Sequence, residues 1–208
     1  MELQDFRKKF QNHVPGLQNG NGRYAVLVPL VRQPEGLCLL YEVRSSQLRA
    51  HASEVCFPGG RMEPDETPTV CALRETQEEL GIAPESVEIL GQLDFLYLRQ
   101  DALMYPVLGH LDHRALESMR YNPAEVKDTF LVPLSFLQNH PPRLYQYQLE
   151  PQVGADFPYH LVQTPPDYHW RPGHMEVPVY EGLPYPLWGL TARITYWLLR
   201  TMDTGGDR

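Results

Sequence analysis

The sequence predicts an α+β domain in which a mixed sheet lies between helices. Three observations carry that expectation: apolar runs of strand length recur along the chain, a well-bounded helix lies near its middle, and an amphipathic helix closes it. Taken in order, residues 2–11 read as a short helix, followed by a Gly/Asn stretch from Gly16 to Gly22. Residues 24–31 (YAVLVPLV) and 37–43 (LCLLYEV) read as strands, and the turn Pro34-Glu35-Gly36 between them fits a hairpin. Residues 55–57 form a short strand running into Pro58-Gly59-Gly60. Residues 67–80 read as a helix: Thr67 can cap it, Pro68 takes the first helical position and Gly81 stops it. Strands follow at 87–96, 104–111 and 129–132, with weaker candidates at 144–149 and 159–162. Residues 165–186, rich in Pro, Tyr and His, read as an irregular loop, and residues 188–202 as the last helix.

The chain has 208 residues, enough for one domain with a sizeable core. Its 42% hydrophobic and 21% charged residues are those of a globular protein. Lys+Arg number 18 against 26 Asp+Glu, for a net charge of -8, and no basic cluster stands out. A nucleic-acid partner is therefore not expected. No apolar run approaches the ~20 residues of a membrane helix, so neither is a membrane. The three cysteines, Cys38, Cys56 and Cys71, share no CxxC spacing and read as small buried residues of a reducing compartment. The first ten residues lack the apolar core of a signal peptide, and the chain ends Thr204-Gly-Gly-Asp-Arg208, so the expected location is the cytoplasm. The expected organisation is an N-terminal extension (1–22), one domain (23–202) and a C-terminal tail (203–208).

The most informative segment is GRMEPDETPTVCALRETQEELGI, residues 60–82. On a helical wheel Glu75, Glu78 and Glu79 fall within about 100° of one another. Thr69, Leu73, Thr76 and Leu80 fall on the opposite side, the expected packing face. Three like charges on one patch repel unless a countercharge sits among them. A cluster of carboxylate oxygens is what Mg²⁺ or Mn²⁺ prefers. Glu63 and Glu66 add carboxylate from the preceding loop, and Arg74 can pair with a neighbouring glutamate. The glutamate spacing alone reads first as a solvated acidic face. The preceding Phe57-Pro-Gly-Gly-Arg61 turn adds weight to a site, because Gly59 and Gly60 let the backbone approach a ligand.

This segment resembles the Nudix box: a glycine, five residues, a glutamate, seven residues, then Arg-Glu-x-x-Glu-Glu-x-Gly and an aliphatic residue. The matching positions are Gly60, Glu66, Arg74, Glu75, Glu78, Glu79, Gly81 and Ile82. Thr76 departs, standing where an aliphatic is usual. The resemblance implies the Nudix fold, an α/β/α sandwich with a mixed sheet. It also implies hydrolysis of a nucleoside diphosphate linked to another moiety, with Mg²⁺ or Mn²⁺ as cofactor. It implies Glu75 and Glu79 as principal metal ligands, joined by Glu78 directly or through water.

Upstream, residues 40–60 (LYEVRSSQLRAHASEVCFPGG) are similar to the signature of the coenzyme A pyrophosphatase branch, through Arg44, Ser45, Leu48, Arg49, His51, Val55, Phe57, Pro58, Gly59 and Gly60. Ser53 departs, where the branch prefers glycine. Asn122-Pro-Ala-Glu-Val126, Phe130-Leu-Val-Pro-Leu134 and Trp188-Gly-Leu-Thr-Ala192 also look like this branch, so the likeness covers roughly residues 24–200. It implies a coenzyme A species as the small-molecule substrate, with 4′-phosphopantetheine and adenosine 3′,5′-bisphosphate as products. Coenzyme A carries a diphosphate and a 3′-phosphate, so Arg44, Arg49 and His51, with Gly59 and Gly60, are the expected substrate-binding residues. The bland reading makes the arginines surface residues and His51 a loop stabiliser.

The expected catalytic residues are Glu79, Glu125 and Glu78. The general base is either Glu79 or a neighbour in the box, or Glu125 on the loop before a strand. Other readings stay open: a Nudix pyrophosphatase for ADP-ribose, NADH or a dinucleotide, and a non-catalytic binding module. His169 and His174 lack companions for zinc, and Tyr168, Trp170 and Tyr180 can either stack on an adenine or belong to a loop wrapped over the core. A homodimer is compatible with the sequence.

Overall fold

A computed structural model of the chain describes residues 1–14, 16–18, 20, 22–98 and 101–203. Residues 204–208 of the expected tail lie outside the described residues. Helix α1 (Leu3–Phe10) carries no buried residue. Strands β1 (Gly22–Gln33) and β2 (Gly36–Arg44) form the expected hairpin, with Gln33 paired to Gly36 across its tip. Next come β3 (Val55–Cys56), β4 (Gly59–Arg61) and α2 (Pro68–Leu80). Then β5 (Val87–Gln92), β6 (Leu96–Leu98), β7 (Ala102–Leu111) and a short α3 (His113–Ser118) lead to β8 (Val126–Pro133) and α4 (Leu134–Asn139). The chain ends with β9 (Arg143–Leu149), β10 (Gly173–Tyr180), β11 (Leu187–Trp188) and α5 (Gly189–Asp203).

The main sheet runs β3-β2-β1-β7-β5, with β4 beside β1, β6 beside β7 and β8 beside β2. It is mixed: β1 and β7 pair in parallel, and the other ladders are antiparallel. Alternation along the strands separates two cores. Ala25, Leu27, Val31 and Leu40 pack with Cys71, Ala72 and Leu80 of α2. Val26, Val28, Tyr41 and Val43 pack with Ala192, Ile194 and Leu198 of α5. The result is the α/β/α layering expected from the sequence. Among the described residues no helix is long and apolar enough to cross a membrane.

Four expectations need correction. The strand read at 87–96 is two strands, interrupted at Leu93–Phe95 after a register shift between Ile89 and Gly91. Residues 159–162 form turns instead of a strand, held by bonds such as Leu161 N–H to Pro158 O. The 165–186 segment contains β10, which pairs with β9 and β11 in a separate three-stranded sheet. Trp188 belongs to β11, so α5 starts one residue later than expected.

Candidate active site

The site is built where α2 meets the sheet. Thr67 caps the helix, its Oγ1 accepting from Val70 N–H at 3.3 Å, and Gly81 ends it in the left-handed region at φ 69°. The helix is rotated from the face the wheel suggested. Its buried residues are Cys71, Ala72, Thr76, Glu79 and Leu80, while Thr69 and Leu73 are half-buried. The glutamates are therefore graded across the seam: Glu79 is 6% exposed, the Glu75 side chain 17% and the Glu78 side chain 56%. The acidic stripe is solvated at Glu78 and turned into the seam at Glu75 and Glu79.

The seam explains both glycines of β4. A Cβ at Gly59 would strike the backbone carbonyl of Ala25, and one at Gly60 would strike the Glu75 carboxylate. Glu79 lies over the same turn, its Oε2 accepting from Gly59 N–H at 2.8 Å. Arg74 binds the outer carboxylates together. Its guanidinium donates to Glu66 Oε1 at 3.0 Å, Glu75 Oε1 at 2.8 Å and Glu78 Oε2 at 3.3 Å, and also to Arg61 O at 3.3 Å. Glu66 is held further by Glu63 N–H at 2.8 Å.

Charge and burial oppose each other here. Burial pushes the Glu79 carboxyl well above its ordinary range, and nearby Glu42 and Glu75 push it the same way. Burial also raises Glu75, with Arg74 acting against it. Glu66 goes the other way, held below the usual range by its bonds to Arg74 and Glu63. Glu42 in β2 was not singled out in the sequence. It is fully buried, accepts from Cys56 Sγ at 3.0 Å and is pushed up by burial. The signal was present: Leu40, Glu42 and Arg44 alternate onto one face of the strand, and a charge in such a run needs a reason.

The loop before β8 closes the site from the other side. Asn122 N–H bonds Glu79 O at 2.8 Å and Arg120 N–H bonds Leu80 O at 3.0 Å, fastening this loop to the end of α2. Asn122 Nδ2 donates to Glu125 Oε2 at 3.0 Å, and Ser45 N–H to Glu125 O at 2.7 Å. The half-buried Glu125 is thereby brought within electrostatic reach of Glu42 and Glu75. Arg44, half-buried at the end of β2, acts on both Glu42 and Glu79, and its Nε is buried without a hydrogen-bond partner.

Not every expected residue gathers here. Arg49 and His51 are exposed on the loop after β2, and His51 Nδ1 lies 3.0 Å from Glu54 Oε2. Tyr180 is buried in the α5 core and cannot stack on a ligand, whereas Tyr168 and Trp170 make edge contact with each other on the surface. Ser53 has φ 61°, which accounts for the glycine usual at that position. Among the described residues no three His, Cys, Asp or Glu side chains already converge as a metal cluster. What the seam does offer is hard oxygen donors, a surplus of negative charge and burial that penalises that charge. This fits a divalent cation.

A family model for the NUDIX domain matches residues 22–150. The chain belongs to the Nudix family. Among curated relatives, peroxisomal coenzyme A diphosphatase NUDT7 of Mus musculus is 43% identical over 144 residues, covering 69% of this chain and 59% of that protein. Mitochondrial coenzyme A diphosphatase NUDT8 of Mus musculus is 36% identical over 183 residues, covering 87% of this chain and 78% of that protein. The Nudix hydrolase NudL of Photorhabdus laumondii is 34% identical over 208 residues, covering 98% and 99%. The chain spans only 59% and 50% of the length of two of its relatives, mouse NUDT7 and Nudix hydrolase 3 of Caenorhabditis elegans. Among solved structures, a C. elegans Ap4A hydrolase binary complex aligns over 57% of this chain and 84% of its own, at 20% identity and a TM-score of 0.46. The Nudix box and the branch signature thus stand in a chain with relatives of matching name.

Proposed function

We propose that this Nudix protein hydrolyses the diphosphate of coenzyme A or its derivatives, releasing 4′-phosphopantetheine and adenosine 3′,5′-bisphosphate with Mg²⁺ or Mn²⁺ as cofactor. The observation that carries the reading is the seam itself: buried Glu79 and half-buried Glu75 lie directly over the Gly59-Gly60 turn, with Arg44 acting on Glu79 and Arg74 on Glu75. Two relatives named as coenzyme A diphosphatases support the substrate.

Glu75 and Glu79 would hold the cation, with Glu78 joining them. When bound, such a cation neutralises phosphate oxygens and lowers the pKa of an attacking water. Arg74 keeps Glu75 and Glu78 aligned beside Glu66. Arg44 receives a phosphate oxygen of the substrate; its unpartnered Nε suits that role. Glu125, oriented by Asn122, takes the proton of the attacking water. Arg49 and His51 reach the substrate from the loop after β2, where exposure leaves them open to the 3′-phosphate. The three free thiols suit a reducing compartment, in keeping with the cytoplasmic expectation.

The test is chromatographic product analysis with Mg²⁺ or Mn²⁺ and coenzyme A, acetyl-coenzyme A, ADP-ribose and NADH in parallel. Adenosine 3′,5′-bisphosphate from the coenzyme A species alone is the expected result. AMP released from ADP-ribose or NADH, with coenzyme A untouched, would overturn the substrate assignment and keep the Nudix chemistry. No turnover of any of the four would overturn the assignment as an enzyme of this class.

A further inference from the structure

Among the described residues, the cation reading leaves one buried carboxylate without a task. Glu42 lies in β2 between Tyr41 and Val43, which both point into the α5 core. Leu40, two residues earlier, points into the α2 core. Alternation therefore sends the Glu42 side chain to the α2 face, one step beyond Leu40. There it is fully buried. Cys56 Sγ fixes one oxygen, Oε1, at 3.0 Å. The other, Oε2, is buried with no hydrogen-bond partner. A buried carboxylate oxygen left unpaired is among the costlier arrangements in a protein, and an apolar residue would cost less there. Arg44 forms no ion pair with it among the described residues, although its charge is felt by Glu42. The groups that act on Glu42 from across the seam are Glu125 and Glu75, and Glu42 is the foremost like charge acting on Glu79.

We propose that Glu42 Oε2 is a further donor to the divalent-cation site, supplied from the sheet while Glu75 and Glu79 approach from the helix. This rests on the cation reading given above. It assigns a role to an oxygen that is otherwise an unexplained cost. It also explains Cys56, whose thiol sets the carboxylate so that Oε2 is the free atom.

The test is direct titration of the 208-residue chain with Mn²⁺, followed by electron paramagnetic resonance. Glu42→Gln keeps the shape and the acceptor for Cys56, and is expected to weaken Mn²⁺ binding by about tenfold or more. Glu42→Asp keeps the charge but withdraws the oxygen, and is expected to weaken binding as well. Binding within about twofold of the parent in Glu42→Asp would reduce Glu42 to a background charge and overturn the proposal. The Asp variant carries the decision if the Gln variant does not fold. Glu79→Gln serves as the control. If Glu79→Gln loses affinity and both Glu42 variants retain it, the Glu42 proposal alone fails. If Glu79→Gln also binds Mn²⁺ as the parent does, the underlying cation reading fails.

Discussion

Single residues decide how this seam is tuned, and two make separate predictions. Ser53 holds a left-handed backbone at φ 61°, which costs a side-chain-bearing residue about 1 kcal/mol. Ser53→Gly is expected to raise unfolding stability by about that much, read from urea denaturation; a loss of stability would contradict the strain account. Glu66 is held below its ordinary value of 4.5 by Arg74. A lowered folded pKa means that its stabilisation is present above the unfolded value and is lost as pH falls through the folded one. Glu66→Gln should therefore flatten the fall in melting temperature below pH 4.5, measured by circular dichroism. An acid limb as steep as the parent's would show that the pair contributes nothing. At this scale the sequence named the box glutamates, Glu125 and Arg44, because spacing and motif mark them. For Glu42 it offers only the oddity of a charge in an apolar strand, because a strand pattern shows which face a residue takes and not what waits across the sheet.

At the scale of elements, local signals were reliable where they were complete. Thr67, Pro68 and Gly81 bound α2 where the chain says they should, because each satisfies a helix end by its own chemistry. A helical wheel weighs hydrophobicity alone and so does not give the rotation of α2. Cys71 and Ala72 are small enough to seat the helix closely, and that turns Glu79 inward. β10 was concealed by the prolines around it; its pairing partner β9 lies more than twenty residues back, and only the ladder from Gly173–Leu149 to Val179–Arg143 reveals it. The contact of Gly60 with Glu75 makes a prediction about β4 and α2 together. Gly60→Ala should displace the Glu75 carboxylate and weaken Mn²⁺ binding by about tenfold or more, while far-ultraviolet dichroism stays that of the parent. Parent-like affinity in this variant would show that the close approach has no bearing on the cation.

Across the whole molecule, the two cores and the site share one sheet. α2 and α5 cover opposite faces, and the residues that alternate between them also deliver Glu42 and Arg44 to the α2 side. α5 lies beyond residues 22–150 but supplies Ala192, Ile194 and Leu198 to the core, so the fold needs the C-terminal helix. The layered architecture was legible because strand periodicity and helix boundaries are local. The geometry of the seam was not, because it exists only once α2, β4, β2 and the loop before β8 are assembled. On the proposed reading, a cation held by the seam's carboxylates in the folded chain alone stabilises it by mass action, so the melting temperature is expected to rise with millimolar Mg²⁺ or Mn²⁺. A melting temperature that does not rise with millimolar Mg²⁺ or Mn²⁺ would argue against a cation there.

The most direct test of the central claim is turnover of coenzyme A by Glu79→Gln against the parent at saturating Mn²⁺. Glu79 is the buried carboxylate over Gly59, and on the proposed reading its replacement removes a cation donor. The account predicts a fall of about a hundredfold or more in kcat with the fold intact. Turnover equal to the parent's, in a folded variant, would contradict it.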